Sequence, residues 1–235
     1  MTAQQVLDEL EQLGTPGIKK TWMRHGAKEP VFGVKIGDMQ PLKKKLMGDH
    51  ALALAVYDTG VADAMYFAGL ICDPAAMTKA DLNRWLKAAT WGMLAEYTVP
   101  WVAAESKHGR ELALKWIDAK DERTALAGWS TYSSLVSIAP DEDLDLKEIE
   151  ALLERVKKQI HSAPNRVKYT MNGFAIAVGC FVSPLSEKAK AVAKAIGIVT
   201  CDMGDTECKV PYAPDYIAKV EKMGRVGKKK KQARC

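Results

Sequence analysis

Apolar residues recur at spacings of three and four along most of this chain of 235 residues, and no segment alternates convincingly with a period of two. In the segment 166–182, Val167, Met171, Phe174 and Val178 fall on one face of a helix. About a dozen such short segments predict an all-α protein. Because heptads are absent and the connectors are tight, stacked antiparallel helix pairs are favoured over a coiled coil, as in an α-solenoid.

Proline and charge mark the organisation of the chain. Thr15 followed by Pro16 predicts an N-cap with proline at the first helical position. The segment 29–40 is rich in proline and glycine and is expected to be a connector. A single helical domain is predicted over residues 1–218, followed by a basic, flexible tail at 219–235.

The positive charge is concentrated in clusters. The tail carries eight Lys or Arg against one acid, whereas the remaining residues carry 26 basic and 28 acidic side chains. Basic clusters on a nearly neutral body suggest a polyanionic partner such as nucleic acid. A solvated surface is the alternative for any one cluster. The lysines expected to contact phosphates are Lys43, Lys44, Lys45, Lys228, Lys229, Lys230 and Lys231.

The cysteine pattern and the absence of cofactor-binding motifs limit the kinds of site that the chain can form. Five cysteines and no export-like apolar run at the start predict reduced thiols in a cytoplasm. Cys201 and Cys208 are separated by six residues without a nearby histidine, and Cys235 ends the chain, so no metal site is expected. No glycine-rich phosphate loop, nucleophile elbow or kinase element is found, so no cofactor is expected.

The stretch TWGMLAEYTVPW places one carboxylate, Glu96, among Trp91, Tyr97 and Trp101. A helix through this stretch is expected to end or kink at Pro100, which lacks an N–H group. A carboxylate beside aromatic faces suits a site for a flat or cationic ligand. The alternative is a pair of core indoles with an exposed glutamate.

Asn172 lies inside the apolar helical segment KYTMNGF. A buried asparagine needs hydrogen-bond partners, since leaving them unmade costs roughly 1–3 kcal/mol. Asn172 is therefore either a structural hydrogen-bonding hub or part of a polar pocket.

Three stretches together resemble the bacterial AlkD-like DNA alkylation repair family. They are MRHGAKEPVFGVKIGDMQPLKKKL, TWGMLAEYTVPW and RVKYTMNGFAIAVGCFV, and their order follows the family over nearly the whole chain. The asparagine of the MNGF motif and the basic end of the chain resemble a distinct branch of this group.

The resemblance implies a solenoid of HEAT-like helix pairs with a concave, positively charged groove for double-stranded DNA. In active members of the family, cationic alkylated purines are excised by hydrolysis of the N-glycosidic bond. An Asp stabilises the developing charge on the sugar, and two tryptophans flank the damaged nucleotide. By resemblance, the acid falls on Glu96. The indole positions fall on Gly92, beside Trp91, and on Asn172, and a DNA-contacting Arg falls near Leu126.

The expected function is therefore DNA binding of the alkylation repair class, with excision assisted by Glu96. Trp91, Tyr97, Trp101 and Asn172 are the other candidate DNA contacts. A bacterial protein of this kind is expected in the cytoplasm, associated with the nucleoid when bound to DNA. Two alternatives are a non-catalytic HEAT-like protein that binds DNA structures and a solenoid that binds peptides.

Overall fold

A computed structural model describes residues 1–234, so Cys235 lies outside the described residues. These residues form thirteen α-helices and several short 3-10 turns, and the β-pairing among them is one isolated bridge between Gly14 and Val34. The predicted all-α class is confirmed. Within the same residues, no helix combines the length and the apolarity that crossing a membrane requires.

The helices belong to two compact units. Unit 1 comprises residues 1–108, 204–207 and 234, and unit 2 comprises residues 109–203 and 208–233. The helices of unit 1 are α1 (Ala3–Leu13), α2 (Pro16–Arg24), α3 (Gln40–Leu46), α4 (His50–Tyr57), α5 (Ala62–Ile71), α6 (Lys79–Ala88) and α7 (Val99–Glu105). Those of unit 2 are α8 (Gly109–Ile117), α9 (Glu122–Ile138), α10 (Leu146–Gln159), α11 (Asn165–Phe181), α12 (Ser186–Ile196) and α13 (Ala213–Lys222).

Unit 1 is built around α5, which packs against α4 and also contacts α1, α3 and α7. Apolar residues at helical spacing predict an amphipathic helix over residues 61–71, but all ten residues of α5 are buried. A helix surrounded by others can be apolar on every face, which explains the difference. The predicted start of α2 is confirmed, because Pro16 is its first residue and the Thr15 hydroxyl accepts a hydrogen bond from the Ile18 N–H at 3.4 Å.

Unit 2 is built around α9 and α11, which pack on each other along their length. The face predicted for α11 is confirmed, since Val167, Met171, Phe174 and Val178 are all buried. The helix α8 approaches α9 closely at Gly128, where a Cβ atom would lie 2.4 Å from the backbone nitrogen of Ile117. Glycine is therefore required at this helix contact.

The basic tail starts inside a helix and is partly packed on unit 2. The helix α13 continues to Lys222, so the predicted boundary at residue 218 falls within it. Further along, the Gly227 N–H donates to the Cys180 carbonyl at 2.9 Å. The Lys229 ammonium donates to the Val136 carbonyl at 2.9 Å and pairs with Asp141 at 2.8 Å. Lys229 thus holds this part of the tail in place.

A candidate nucleic-acid interface in unit 1

The stretch TWGMLAEYTVPW forms a wide π-turn at Leu94–Thr98 that runs directly into α7. The Val99 N–H donates to the carbonyl of Leu94, five residues earlier, as a π-turn requires. The Thr98 hydroxyl donates at 3.3 Å to the carbonyl of Met93, also five residues back. The extra residue in the turn shifts the hydrogen-bonding pattern, and the helix continues past Pro100 to Glu105. Of the predicted end or kink at Pro100, the end does not occur, while the helix geometry changes from a π-turn to an α-helix at Val99, the residue before it.

The π-turn is held in place by a close contact with α5. A Cβ atom at Gly69 would lie 2.3 Å from the Thr98 Cγ2 atom, so only glycine allows this approach. The shape of the turn therefore depends on packing between helices as well as on its own residues.

Trp91 and Glu96 are both buried. Trp91 lines a small pocket together with Trp22 and Asp63, and we call these three residues the inner cluster. Trp91 is 3% exposed to solvent, and Glu96 is 4% exposed. The indole N–H of Trp91 donates to the His25 carbonyl at 3.1 Å, and its ring lies 5.6 Å from that of Trp22. The alternative of an exposed glutamate is therefore wrong, although the prediction of a core indole holds for Trp91.

The position that the resemblance assigns to the first family indole is occupied by Gly92. Gly92 is exposed, and a Cβ atom built there would lie 3.7 Å from the Glu96 Oε1 atom. At this position the chain therefore exposes only backbone, whereas active members of the resembled family have a tryptophan side chain there.

Tyr97 and Trp101 form a second aromatic group, which we call the outer pair. Both side chains are partly exposed, and their ring centroids are 5.8 Å apart. Trp101 also meets the ring of buried Tyr66 edge-on at 6.2 Å. The outer pair thus rests on the core of unit 1 and keeps aromatic surface accessible to a ligand.

Asp63, a buried carboxylate of the inner cluster, is not among the site residues predicted from the sequence. It is 1% exposed and accepts three backbone N–H groups. The donors are Phe32 at 2.6 Å, Gly33 at 3.2 Å and Val34 at 2.8 Å. A carboxylate with several backbone donors can remain buried because these hydrogen bonds offset its lost hydration. The signal in the sequence was a single acid within the apolar segment ADAMYFAGLI.

Asp63 holds the connector between α2 and α3 in place, and Gly33 allows this connector to approach α2 closely. Gly33 has a φ of +83°, and a Cβ atom there would lie 2.3 Å from the backbone nitrogen of Lys19. The Thr15 N–H donates to the Gly33 carbonyl at 3.0 Å, and the indole N–H of Trp22 donates to the Val34 carbonyl at 3.1 Å. The Phe-Gly-Val sequence is therefore a structural motif that attaches the connector to α2 and α5.

The predicted lysines differ in their surroundings. Lys43, Lys44 and Lys45 occupy the last turn of α3, where Lys44 and Lys45 are exposed and Lys43 is partly buried. In the tail, the side chains of Lys228, Lys230 and Lys231 are exposed, in contrast to the docked Lys229. The backbone N–H of Lys230 donates to the Ser137 carbonyl at 2.8 Å, so its main chain is held as well.

Asn172 lies in unit 2, where it is 1% exposed. Its Nδ2 atom donates to the Pro211 carbonyl at 2.9 Å, which ties α11 to the chain before α13. Within residues 1–234 its Oδ1 atom has no hydrogen-bond partner. The hydrogen bond to Pro211 fits the alternative in which Asn172 is a structural hydrogen-bonding hub. Leu126, near the predicted position of a DNA-contacting Arg, is buried in α9.

The cysteines of the described residues are thiols, and no group of three potential metal ligands occurs in this part of the chain. Cys201 is partly exposed and Cys208 is exposed. Burial raises the pKa of Cys72 to about 12, so this thiol stays protonated at neutral pH. The expectation that the protein needs no metal remains a prediction.

Comparison with known proteins supports the resemblance. Two uncharacterized proteins, Lin0241 of Listeria innocua and Lmo0209 of Listeria monocytogenes, are 33% and 32% identical to this chain over 225 residues. The aligned region covers 93% of this chain and 97% of each relative.

A solved structure matches with a TM-score of 0.92 and 41% identity, and the match covers 100% of both chains. It is described as representing a new family of proteins related to the HEAT-like repeat DNA glycosylases with affinity for branched DNA structures. This match confirms the predicted HEAT-like helical fold. The model of the DNA alkylation repair enzyme family matches residues 6–180, and the chain belongs to that family.

Proposed function

We propose that this protein binds branched DNA and does not excise alkylated bases. The observation that carries the proposal is the contrast within unit 1: Glu96 and Trp91 are buried, whereas Tyr97 and Trp101 keep accessible aromatic surface. The solved relative with affinity for branched DNA, 41% identical over its whole length, supports this choice of ligand.

Burial argues against a catalytic role for Glu96. A carboxylate that stabilises a developing sugar cation must lie close to the sugar in the transition state. Glu96 is 4% exposed, so a nucleotide would reach it only if the surrounding side chains moved. The indole N–H of Trp91 is already bonded to the His25 carbonyl, which holds this ring in the interior.

The positions of the two family tryptophans give a second reason. Gly92 and buried Asn172 occupy them, and neither side chain can form an aromatic wall around a damaged nucleotide. The excision of N-alkylated purines with the help of Glu96 is therefore the competing hypothesis, and it remains a prediction that base-release kinetics can test.

Binding would use two kinds of contact. Lys44 and Lys45, with the exposed Lys228 and Lys231 of the tail, would contact phosphates as mobile point charges. The outer pair would stack on bases that are unpaired or unstacked at a branch point, since stacking on aromatic side chains does not depend on base identity. A paired linear duplex offers the phosphates but hides the faces of its bases.

The test compares a four-way DNA junction with a linear duplex of equal length and composition. The proposal predicts at least about tenfold tighter binding of the junction, because stacking contributes roughly 1–3 kcal/mol per base. Affinity for both DNAs should fall with salt by about 0.9 log unit per phosphate contact for each tenfold rise in salt. Equal affinity for the two DNAs would contradict the proposal, and binding without salt dependence would favour the peptide-binding alternative.

A further inference from the structure

The last helix of unit 2, α13, is held in place along one face. Ala213 and Ile217 are fully buried and pack with Ile176 of α11 in an apolar cluster. Near the end of α13, the Glu221 carboxylate pairs with the Lys190 ammonium of α12 at 2.9 Å. These contacts fix the orientation of α13, so the position of its other faces is set before any partner binds.

A second face of α13 carries exposed aromatic and apolar side chains, in what we call the α13 stripe. The stripe consists of Tyr212, Tyr216, Lys219 and Met223. Their spacings of four, three and four positions place them on one side of the helix and its two cap residues. Tyr212 is 43% exposed, Tyr216 50% and Met223 54%. Every other aromatic side chain of residues 1–234 is buried or partly buried.

The two tyrosine side chains are available to a partner. Within residues 1–234, neither ring packs on another aromatic ring, and neither hydroxyl forms a hydrogen bond. Covering an apolar ring that lies in water is favourable, and a tyrosine hydroxyl can also bond to the group that covers it. The stripe therefore presents two rings to a partner with flat, apolar faces.

Unpaired positive charges follow the tyrosines along the same helix. Lys219, Lys222 and Arg225 are exposed, and none of them forms an ion pair within residues 1–234. Because Glu221 is neutralised by α12, Asp215 is the one unpaired acid of α13 in the part of the chain that the structure describes. Asp215 lies in the first turn, so the last turn of α13 and the residues after it form a positive region that suits phosphates.

We propose that the α13 stripe binds single-stranded DNA, with bases stacked on Tyr212 and Tyr216 and phosphates at Lys219 and Lys222. Exposed aromatic rings beside unpaired cations are the combination by which proteins bind single strands. Four helical residues rise about 6 Å, so a few nucleotides span both rings. Two copies of the chain facing each other through the stripe would bring their lysines together, which disfavours a dimer. The choice of DNA rests on the proposed function, and the inference goes beyond it by giving unit 2 a contact with an unpaired strand.

The experiment uses the full chain and two four-way junctions, one with a single-stranded oligothymidylate extension on one arm and one with a paired extension of equal length. The paired extension adds phosphates but hides the faces of its bases. The wild-type protein should bind the junction with the single-stranded extension at least about tenfold more tightly, since stacking of a single base contributes a factor of that size. Fluorescence anisotropy with labelled DNA measures both affinities.

Replacing the two rings tests whether the stripe is responsible. Tyr212→Ala and Tyr216→Ala together should abolish the preference for the single-stranded extension, whereas the two Phe replacements keep the rings and should retain it. The matched control is Ile198→Ala, which removes apolar surface from a residue of unit 2 that is 77% exposed and lies outside α13. It should leave the preference unchanged. Because all three side chains are exposed, thermal melts followed by circular dichroism should match the wild type.

Two further measurements address the phosphates and the bases separately. Replacing Lys219 and Lys222 together by Gln should reduce the salt slope for the single-stranded extension by about 0.7 per lost contact. The matched double replacement of Lys157 and Lys158, exposed on α10, should not. Irradiation of an extension that carries 5-iodouracil should crosslink it to Tyr212 or Tyr216, as identified by mass spectrometry of the digested protein.

The outcomes separate the two proposals. If the wild-type protein binds both extensions equally well, if the double Ala variant keeps the preference, or if crosslinks form only outside α13, the single-strand site is overturned while junction binding stands. If the stripe binds the single strand but the four-way junction binds no more tightly than a duplex, the proposed function fails and the single-strand site stands. If the double Ala variant instead converts a dimer to a monomer in sedimentation, the stripe is an interface between copies and the inference is overturned.

Discussion

Trp91 of the inner cluster precedes Tyr97 and Trp101 of the outer pair by ten residues or fewer, but the two groups differ in what they can do. In the inner cluster, Trp91 is hydrogen-bonded to a backbone carbonyl and Asp63 to three backbone N–H groups. In the outer pair, Tyr97 and Trp101 contact each other and keep exposed surface. Glu96, which the resemblance matches to the catalytic position of the family, is buried, whereas its neighbours Tyr97 and Trp101 keep exposed surface.

The inner cluster should respond to mutation through stability. Asp63→Asn leaves three buried N–H groups without a charged acceptor, and it should lower the free energy of unfolding by about 3 kcal/mol. Urea denaturation followed by circular dichroism measures this loss. Asp58→Asn is the matched control, because it breaks only a surface ion pair with Arg84 and should cost less than about 1 kcal/mol. Equal losses for the two variants would remove Asp63 from its proposed structural role.

The outer pair should respond through binding. Tyr97→Ala removes one accessible ring and should weaken junction binding about tenfold, with little effect on the linear duplex. Tyr97→Phe keeps the ring and should bind as the wild type does. Fluorescence anisotropy with labelled DNA provides the measurement. If Tyr97→Ala weakens both DNAs equally, the outer pair does not distinguish branched from linear DNA.

The smallest effect is expected for the lysines of α3, which would support the outer pair by charge alone. Replacing Lys44 and Lys45 together by Gln should weaken junction and duplex by similar factors and reduce the salt slope by about 0.9 per lost contact. Lys157 and Lys158, which are exposed in the last turn of α10, provide a matched double replacement. If both double variants lower the slope equally, the α3 lysines contribute only general charge.

The helices could be predicted from the sequence because helical periodicity and capping are local properties. Thr15 and Pro16 started α2 as expected, and the apolar face of α11 was recognised from its spacing. The π-turn could not be predicted in this way. It depends on the contact between Thr98 and Gly69 of α5, and no local pattern encodes that contact.

The candidate site was predicted only in part, and again the reason is distance along the chain. Asp63 binds N–H groups about thirty residues away, so its role is visible only in the folded structure. The stretch around Glu96 was selected from its sequence alone, whereas the burial of Glu96 depends on how unit 1 packs around the π-turn.

Single-turnover release of an N-alkylated purine from duplex DNA, measured for the wild-type protein and for Glu96→Gln, decides whether Glu96 is catalytic. If Glu96 is not catalytic, neither protein releases the base faster than the spontaneous rate, although the wild type binds the four-way junction. Release by the wild type that falls about a hundredfold or more in Glu96→Gln, with DNA affinity unchanged, would overturn the proposed function and make Glu96 the catalytic carboxylate.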